Sequence, residues 1–524
     1  MLNTGRMKCL HCSLFAIFFI LLGGIIPAAK AEDIAKVSEE KRITLRMMTL
    51  PDPVKMDVSA RYLRKIVREF SREYPRYELE PFTFPTLEGM GMDQGPLMSI
   101  ATGVPPHGMY VNFRQSSTYI NHGFLEPMEV LLARVQSENP RVRETDEDDN
   151  WRADPTPEEI AQAKEQLRQR VIGPIWPVVY RQADTAGKKG VPQGKHVWAL
   201  PYRNLTRALL YRKDVFHEAG LNPDRPPETW DELIEYSRKI RGKSKDKFGI
   251  MFATGPNISW SVYSFLVSKG VRYLERDENG EWRAAFNTRE AAEALYYILR
   301  LVREEFKANN GKTLRGVAFA PLGGGQEMSI KWERGEIGMQ FTYLSFEETQ
   351  DINPALVGVA PVPSPPDGRS ASELNCNMIG VFSGASPQQK LGVMRYIWFL
   401  TGQKAEEIRT RMFVNAGYGK FLDPKVLRKY GYDSVANQVP KQWAKTLEKA
   451  FKQGVPEPYG KGTQMIYWYV SEPINWTLQH PELLDLPKDA ALNRIENQLD
   501  IAAERIDRRL LEKISKRERI IRHI

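Results

Sequence analysis

Cysteine is nearly missing from these 524 residues: three are present, and Cys9 and Cys12 fall in the first dozen positions. Only Cys376 lies in the body of the chain, so the body holds no internal disulfide. A lone cysteine of this kind reads as a small buried or loop residue rather than a nucleophile. Histidine is also scarce, with seven in total and none at metal-ligand spacing. No H-E-x-x-H and no pair of C-x-x-C units occurs, so no metal is signalled. The strained G-x-S-x-G turn of a serine hydrolase is missing. Gly454 to Lys461 is one residue too long for a phosphate loop, and Gly462 stands where Ser or Thr is required. Gly89-Met90-Gly91 is followed by Gly95, one position too late for a dinucleotide fingerprint. Neither a catalytic motif nor a cofactor is therefore expected. A converging carboxylate pair stays open, because 65 acidic residues ensure that some are neighbours in space.

Long apolar runs are lacking too. The one run, Leu14 to Ile26, is interrupted by Gly23 and Gly24 and is short for a bilayer span. Arg6 and Lys8 precede it, and Ala29-Lys30-Ala31 follows with small residues. That order predicts a signal peptide over residues 1–31, cleaved near Ala31, and a periplasmic location. Removing Arg6, Lys8 and Lys30, with no acid among those residues, lowers the formal charge from +9 to +6. Much of the remaining excess lies between Arg505 and Arg522, which reads as the solvated face of a terminal helix, without the interleaved aromatics of a nucleic-acid site. The acidic stretch Glu144 to Asp149 lacks the glycine of a calcium loop and reads as a solvated insertion.

What remains is an ordinary globular composition, 42% hydrophobic and 27% charged, too long for a single core. Ile43 to Met48 reads as a strand. Val58, Tyr62, Ile66, Phe70 and Tyr74 then recur at helical spacing after a capping Asp57. Strand followed by amphipathic helix opens an α/β lobe. Val197 to Pro201 and Ala208 to Tyr211 read as two further strands, and Thr229-Trp230-Asp231-Glu232 as a capping box. Phe248 to Phe252 is a buried strand, Asn279-Gly280 a hairpin turn, and Ala291 to Phe306 a helix. Strands are expected near 337–343 and 356–361, and helices from Pro387 onward, including a stripe at Ile495, Leu499, Ala502, Ile506, Leu510 and Ile514. Aromatics stand beside polar residues at several strand ends. Such pairs suit a small hydroxylated ligand, whose flat face packs on a ring while its hydroxyls need donors and acceptors.

Several segments resemble family 1 extracellular solute-binding proteins, the sugar-binding components of ABC transporters. They are Val197-Trp198-Ala199-Leu200-Pro201, Leu210 to Phe216, Glu218 to Leu221 and Pro226 to Leu233. Trp332 to Met339, Gly358 to Pro363, Gln464 to Tyr469 and Asp489 to Leu492 follow in the family's order. The likeness covers roughly residues 42–510. It implies an α/β, two-lobe periplasmic binding protein fold of type II, with the ligand between lobes joined by crossover hinges. The expected division is lobe 1 over 32–134, lobe 2 over 135–374 with an insertion at about 135–190, and a return to lobe 1 over 375–425. C-terminal helices over 426–524 would pack mainly on lobe 2. The ligand-binding positions it implies are Asn112, Arg114, Trp198, Tyr202, Arg203, Asn204, Asn257, Trp260, Tyr343, Asn375, Asn377 and Trp468. Trp198 and Trp468 are equally compatible with core roles, and Arg203 with an ion pair. The implied activity is capture of a saccharide by hinge closure and delivery to a membrane permease, as a monomer without a nucleic-acid partner and without catalysis. A secreted carbohydrate-active enzyme and a ligand sensor for a membrane receptor are the alternatives. Pro106-His107-Gly108 departs from the family's usual approach to its first contact strand.

Overall fold

The computed structural model describes residues 42–83, 94–143, 151–308, 310–343 and 352–521. The expected signal peptide, the acidic run 144–149 and most of the Gly89–Gly95 stretch lie outside them. Among the described residues no helix is long and apolar enough to cross a membrane.

Ten strands form one sheet: β1 (Ile43–Met47), β2 (Tyr77–Pro81), β3 (Gly108–Val111), β4 (Leu200–Arg212), β5 (Phe248–Met251), β6 (Ala318–Phe319), β7 (Ile337–Tyr343), β8 (Val357–Ala360), β9 (Glu373–Val381) and β10 (Val455–Pro456). Their order is β6-β5-β7-β4-β9-β3-β1-β2, with β8 added on β4 and β10 on β9. The β1–β2, β1–β3, β5–β6 and β5–β7 pairs are parallel, each reached through helical crossovers. β4 runs antiparallel to β7, β8 and β9, and β9 antiparallel to β3, while β10 joins β9 in parallel.

The two strands read at 197–201 and 208–211 are largely one. β4 is thirteen residues long and continues through the polar stretch Arg203-Asn204. Its first half pairs with β9, Leu200 to Thr206 against Ile379 to Leu374. Its second half pairs with β7 on one side and β8 on the other. The polar residues looked like a break because they lie between cores, where alternation of buried side chains lapses.

Two large cores flank that lapse. The first gathers Leu45, Phe70, Val111, Trp198, Leu200, Ile379 and Ile397. The second gathers Leu209, Tyr211, Phe265, Leu295, Met339, Val470 and Leu499. A smaller core holds Ala208, Leu210, Val357, Val359, Leu427 and Trp443 on the opposite face of the same strands. Period-two alternation thus sends Leu209 and Tyr211 one way and Ala208 and Leu210 the other. Ala163, Leu167, Val171 and Val178 share the core of Leu45, so much of the segment expected as a lobe 2 insertion packs with the first strands. They are apolar at helical spacing and face the helix Met128–Gln136 and its neighbours.

Local chemistry sets the helices. Asp57 accepts from the Ala60 amide at 2.8 Å and starts the helix Val58–Glu73, burying Tyr62, Ile66 and Phe70. Thr229 likewise accepts from the Glu232 amide at 3.2 Å, at the start of the helix Trp230–Arg241. The expected box is only half made, because Glu232 accepts from the Glu228 amide at 2.7 Å instead. Gly249 lets that helix approach the sheet: a Cβ there would lie 2.2 Å from Ser237. The 34-residue helix Lys488–Ile521 buries Ile495, Leu499, Ala502 and Ile506 of the expected stripe against the second core, while the burial of Leu510 and Ile514 lies outside the described residues.

Candidate functional site

Where β4 and β9 pass between the two cores, their polar side chains meet. Arg207 and Glu373 are 2% and 0% exposed, too buried to be left without partners. Arg207 Nε stands 2.9 Å from Glu373 Oε2. Arg207 Nη1 donates to the carbonyls of Trp260 at 2.7 Å and Ser261 at 3.1 Å, and its guanidinium lies 4.0 Å from the centre of the Trp260 ring. The Tyr343 hydroxyl donates to Glu373 Oε1 at 2.5 Å and accepts from Asn375 Nδ2 at 3.2 Å. Burial first, and the Glu373 charge second, push the Tyr343 hydroxyl well above the usual phenol range, so it stays a donor. One residue pair along β9, the Tyr110 hydroxyl donates to Asn377 Oδ1 at 3.3 Å, and burial raises Tyr110 to about 12.

A second acid–base pair lies beside the first. β10 is held on β9 by the Val455 amide donating to the Ser372 carbonyl at 2.7 Å and the Glu457 amide to the Leu374 carbonyl at 2.9 Å. That places Glu457, 1% exposed, between Arg114 and Tyr467. Arg114 belongs to the helix Phe113–Asn121 behind β3, and Tyr467 to the helix Ile466–Gln479 of the second core. The guanidinium lies 5.2 Å from the Tyr467 ring centre, and the Thr463 hydroxyl donates to the Arg114 carbonyl at 2.9 Å.

Further out, residues from the two sides touch. Asp184 exchanges hydrogen bonds with Asn121 and pairs with Arg276 at 2.6 Å. Arg276 belongs to the hairpin Leu274–Arg276 and Trp282–Ala284, joined by the expected Asn279-Gly280 turn. Trp282 packs on the second core and Tyr459 on the first, with ring centres 6.1 Å apart. Gly460 permits this approach, since a Cβ there would lie 2.6 Å from the Trp282 ring.

The crossing brings together Arg114, Trp260, Tyr343, Asn375 and Asn377 of the expected positions. Arg203 stands opposite Asn377 in the β4–β9 register, and exposed Asn204 opposite Cys376. The others are placed differently. Asn112 is 5% exposed and caps the helix Phe113–Asn121, accepting from the Gln115 amide at 2.9 Å. Trp198 is 1% exposed in the first core, its Nε1 donating to the Arg181 carbonyl at 2.7 Å. Tyr202 packs on that core, and burial raises its hydroxyl far above the usual range. Asn257 is exposed at the start of the turn Ile258–Ser261. Trp468 is 42% exposed, with its ring edge-on to Tyr469 at 5.2 Å.

Sequence reasoning missed Arg207, Glu373, Glu457, Tyr110 and Tyr467. A signal existed for two of them: Arg207 is a lone charge before Ala208-Leu209-Leu210, and Glu373 opens an otherwise uncharged strand. Glu457 between two prolines carries none.

Among the described residues no group of three or more His, Cys, Asp or Glu is arranged to hold a metal ion. The crossing therefore offers ring faces, amides, hydroxyls and two buried carboxylates, a set suited to holding a polar organic molecule.

Comparison with known proteins agrees with this architecture. Residues 154–407 match the family model described as bacterial extracellular solute-binding protein. The sn-glycerol-3-phosphate-binding periplasmic protein of Shigella flexneri is 24% identical over 209 residues, 39% of this chain and 45% of that protein. Its Yersinia enterocolitica counterpart is 50% identical over 46 residues, 9% of this chain and 10% of that protein. The chain thus spans less than half the length of the curated relatives it matches. An ABC transporter solute-binding protein of Thermotoga lettingae, solved with alpha-D-tagatose, superposes with a TM-score of 0.58 at 18% identity, covering 90% of this chain and all of that one. That likeness, with the two cores joined through β4 and β9, gives the type II periplasmic binding protein fold. Residues 154–407 are thus similar to the bacterial extracellular solute-binding proteins.

Proposed function

We propose that this protein captures a small hydroxylated solute, of the saccharide or polyol class, outside the cytoplasm and hands it to an ABC-transporter permease. The observation that carries this reading is the crossing of β4 and β9. Two long strands link separate cores, and the polar and aromatic side chains gather where they pass. Such strands act as hinges: small backbone rotations at Arg203–Arg207 and Glu373–Asn377 would part the cores and open the space between them. A ligand touching both sides favours the closed form by its extra contacts there. Trp260, Tyr343, Asn375, Asn377 and Arg114 are the proposed contacts at the crossing, with exposed Trp468 offering a ring face to a sugar. Asn112, Trp198 and Tyr202 serve in caps and core in this reading, and support the site from behind. No turnover is required of these residues.

The ligand class follows from charge. Arg207 faces Glu373 and Arg114 faces Glu457, so neither of these two arginines is left without a carboxylate to meet an anion. A phosphate ester is the second reading, favoured by the name of the Shigella relative. Thermal shift of the exported chain against maltose, D-tagatose, trehalose, myo-inositol and sn-glycerol 3-phosphate decides between them, because a ligand of the native state raises the melting temperature by mass action. A rise with a neutral sugar, recovered intact by mass spectrometry, supports the proposal. Recovery of cleaved sugar refutes it.

A further inference from the structure

Among the described residues, the crossing contains one buried carboxylate with neither oxygen in hydrogen-bond geometry. Glu457 is 1% exposed, yet neither of its oxygens accepts a hydrogen bond from a described residue. Arg114 Nε, at 3.6 Å, is beyond hydrogen-bond range. A carboxylate offers about four lone-pair sites, and leaving them empty in a dry interior is costly. Glu373 differs in degree: its Oε1 accepts from the Tyr343 hydroxyl at 2.5 Å, and Arg207 Nε stands 2.9 Å from its Oε2 without hydrogen-bond geometry. The Tyr467 hydroxyl lies beside Glu457, close enough to favour its charged form, but without full hydrogen-bond geometry. These groups come from different sides. Arg114 stands with the first core and Tyr467 with the second, so parting the cores uncovers Glu457. Burial first, and the Glu373 charge second, push Glu457 up to about 7, while Arg114, Tyr467 and Arg207 pull it down.

We propose that Glu457 is a specificity-determining ligand residue, whose carboxylate accepts hydrogen bonds from the hydroxyls of a neutral polyol or saccharide bound beside Arg114 and Tyr467. This rests on the reading of the crossing as a solute site. The chemistry selects the class. An anionic ligand would bring a further negative charge beside Glu457 and Glu373. A cationic one would lie against Arg114. Neutral hydroxyls supply the missing donors without adding charge, and a vicinal pair of them matches the spacing of the two carboxylate oxygens.

Calorimetric titration of the exported full chain and of its Glu457→Gln variant, with maltose, D-tagatose, myo-inositol and sn-glycerol 3-phosphate, tests the assignment. The amide keeps the size but turns one acceptor into a donor. The variant's near-ultraviolet circular dichroism and ligand-free melting temperature establish that it folds, and Glu457→Asp serves as a second variant that keeps the charge. The expected result is binding of a neutral probe by the parent chain, at least tenfold weaker binding by Glu457→Gln, and partial recovery in Glu457→Asp. Equal affinity of the parent and Glu457→Gln for a neutral probe overturns the inference and leaves the solute-binding reading standing. Binding of sn-glycerol 3-phosphate alone overturns the inference and replaces the ligand class. Binding of none of the four overturns both.

Discussion

Two buried acid–base pairs lie side by side at the crossing, and they are built differently. Arg207 and Glu373 are closed on themselves: the guanidinium meets a carboxylate, two carbonyls and a ring, and the carboxylate meets a tyrosine hydroxyl. Arg114 and Glu457 are open: the guanidinium is 29% exposed, the separation is 3.6 Å, and no described donor meets either carboxylate oxygen with full hydrogen-bond geometry. Equal burial of the two glutamates therefore conceals opposite roles. A closely paired buried glutamate, with Arg207 at 2.9 Å and a tyrosine hydroxyl at 2.5 Å, ties β9 to its neighbours. An unsatisfied one marks a place kept for something else.

The largest effect is expected from breaking the closed pair. Arg207→Met leaves Glu373 buried without its cation, and loss of one partner of such a pair costs about 3–5 kcal/mol. Urea denaturation should show that loss in the midpoint, with little change in slope.

The open pair should answer in pH instead. With Glu457 pushed up to about 7 from an ordinary 4.5, the folded chain holds a proton that the unfolded chain releases between those values. Its contribution to stability is therefore greatest below about pH 4.5 and lost as pH rises toward about 7. His107 works in the opposite sense: burial and Arg46 lower it to about 4, so its contribution is lost as pH falls from 6.5 toward 4. Glu457→Gln should remove the first slope, leave the second, and raise the melting temperature at pH 8. Melting curves from pH 5 to 8 check this.

A smaller effect is expected at the outer contact. Asp184→Asn removes the charge facing Arg276, whose side chain is 46% exposed, so the pair is worth about 0.2–1 kcal/mol. Small-angle scattering without ligand should show a modest shift toward an open, larger radius of gyration. No change in radius would mean that this contact does not bias closure. The smallest effect on stability belongs to Trp468→Ala, under about 0.5 kcal/mol for an exposed ring. Its effect on sugar affinity should be several-fold or more. Unchanged affinity would remove Trp468 from the site.

Much of the frame was legible in the sequence, because local rules governed it. Asp57 and Thr229 cap the helices they were expected to cap, and β1, β5 and β7 lie where apolar runs predicted. The crossing was less legible. β4 read as two strands because Arg203 and Asn204 interrupt its pattern, and that interruption lies where the strand passes between the cores. Trp198 read as a candidate contact because a strand-end aromatic looks the same whether it faces a ligand or a core. Glu457 was invisible: its partners Arg114, Glu373 and Tyr467 are distant in sequence, and only the fold brings them together.

The most direct test compares the two glutamates in one measurement, the urea unfolding free energy at pH 8 of Glu373→Gln and Glu457→Gln against the parent chain. A loss of about 3 kcal/mol or more is predicted for Glu373→Gln, which orphans Arg207. Glu457→Gln is predicted to be as stable as the parent or more so. Equal losses in both, or a greater loss at Glu457, would contradict the division into a structural pair and a ligand-ready one.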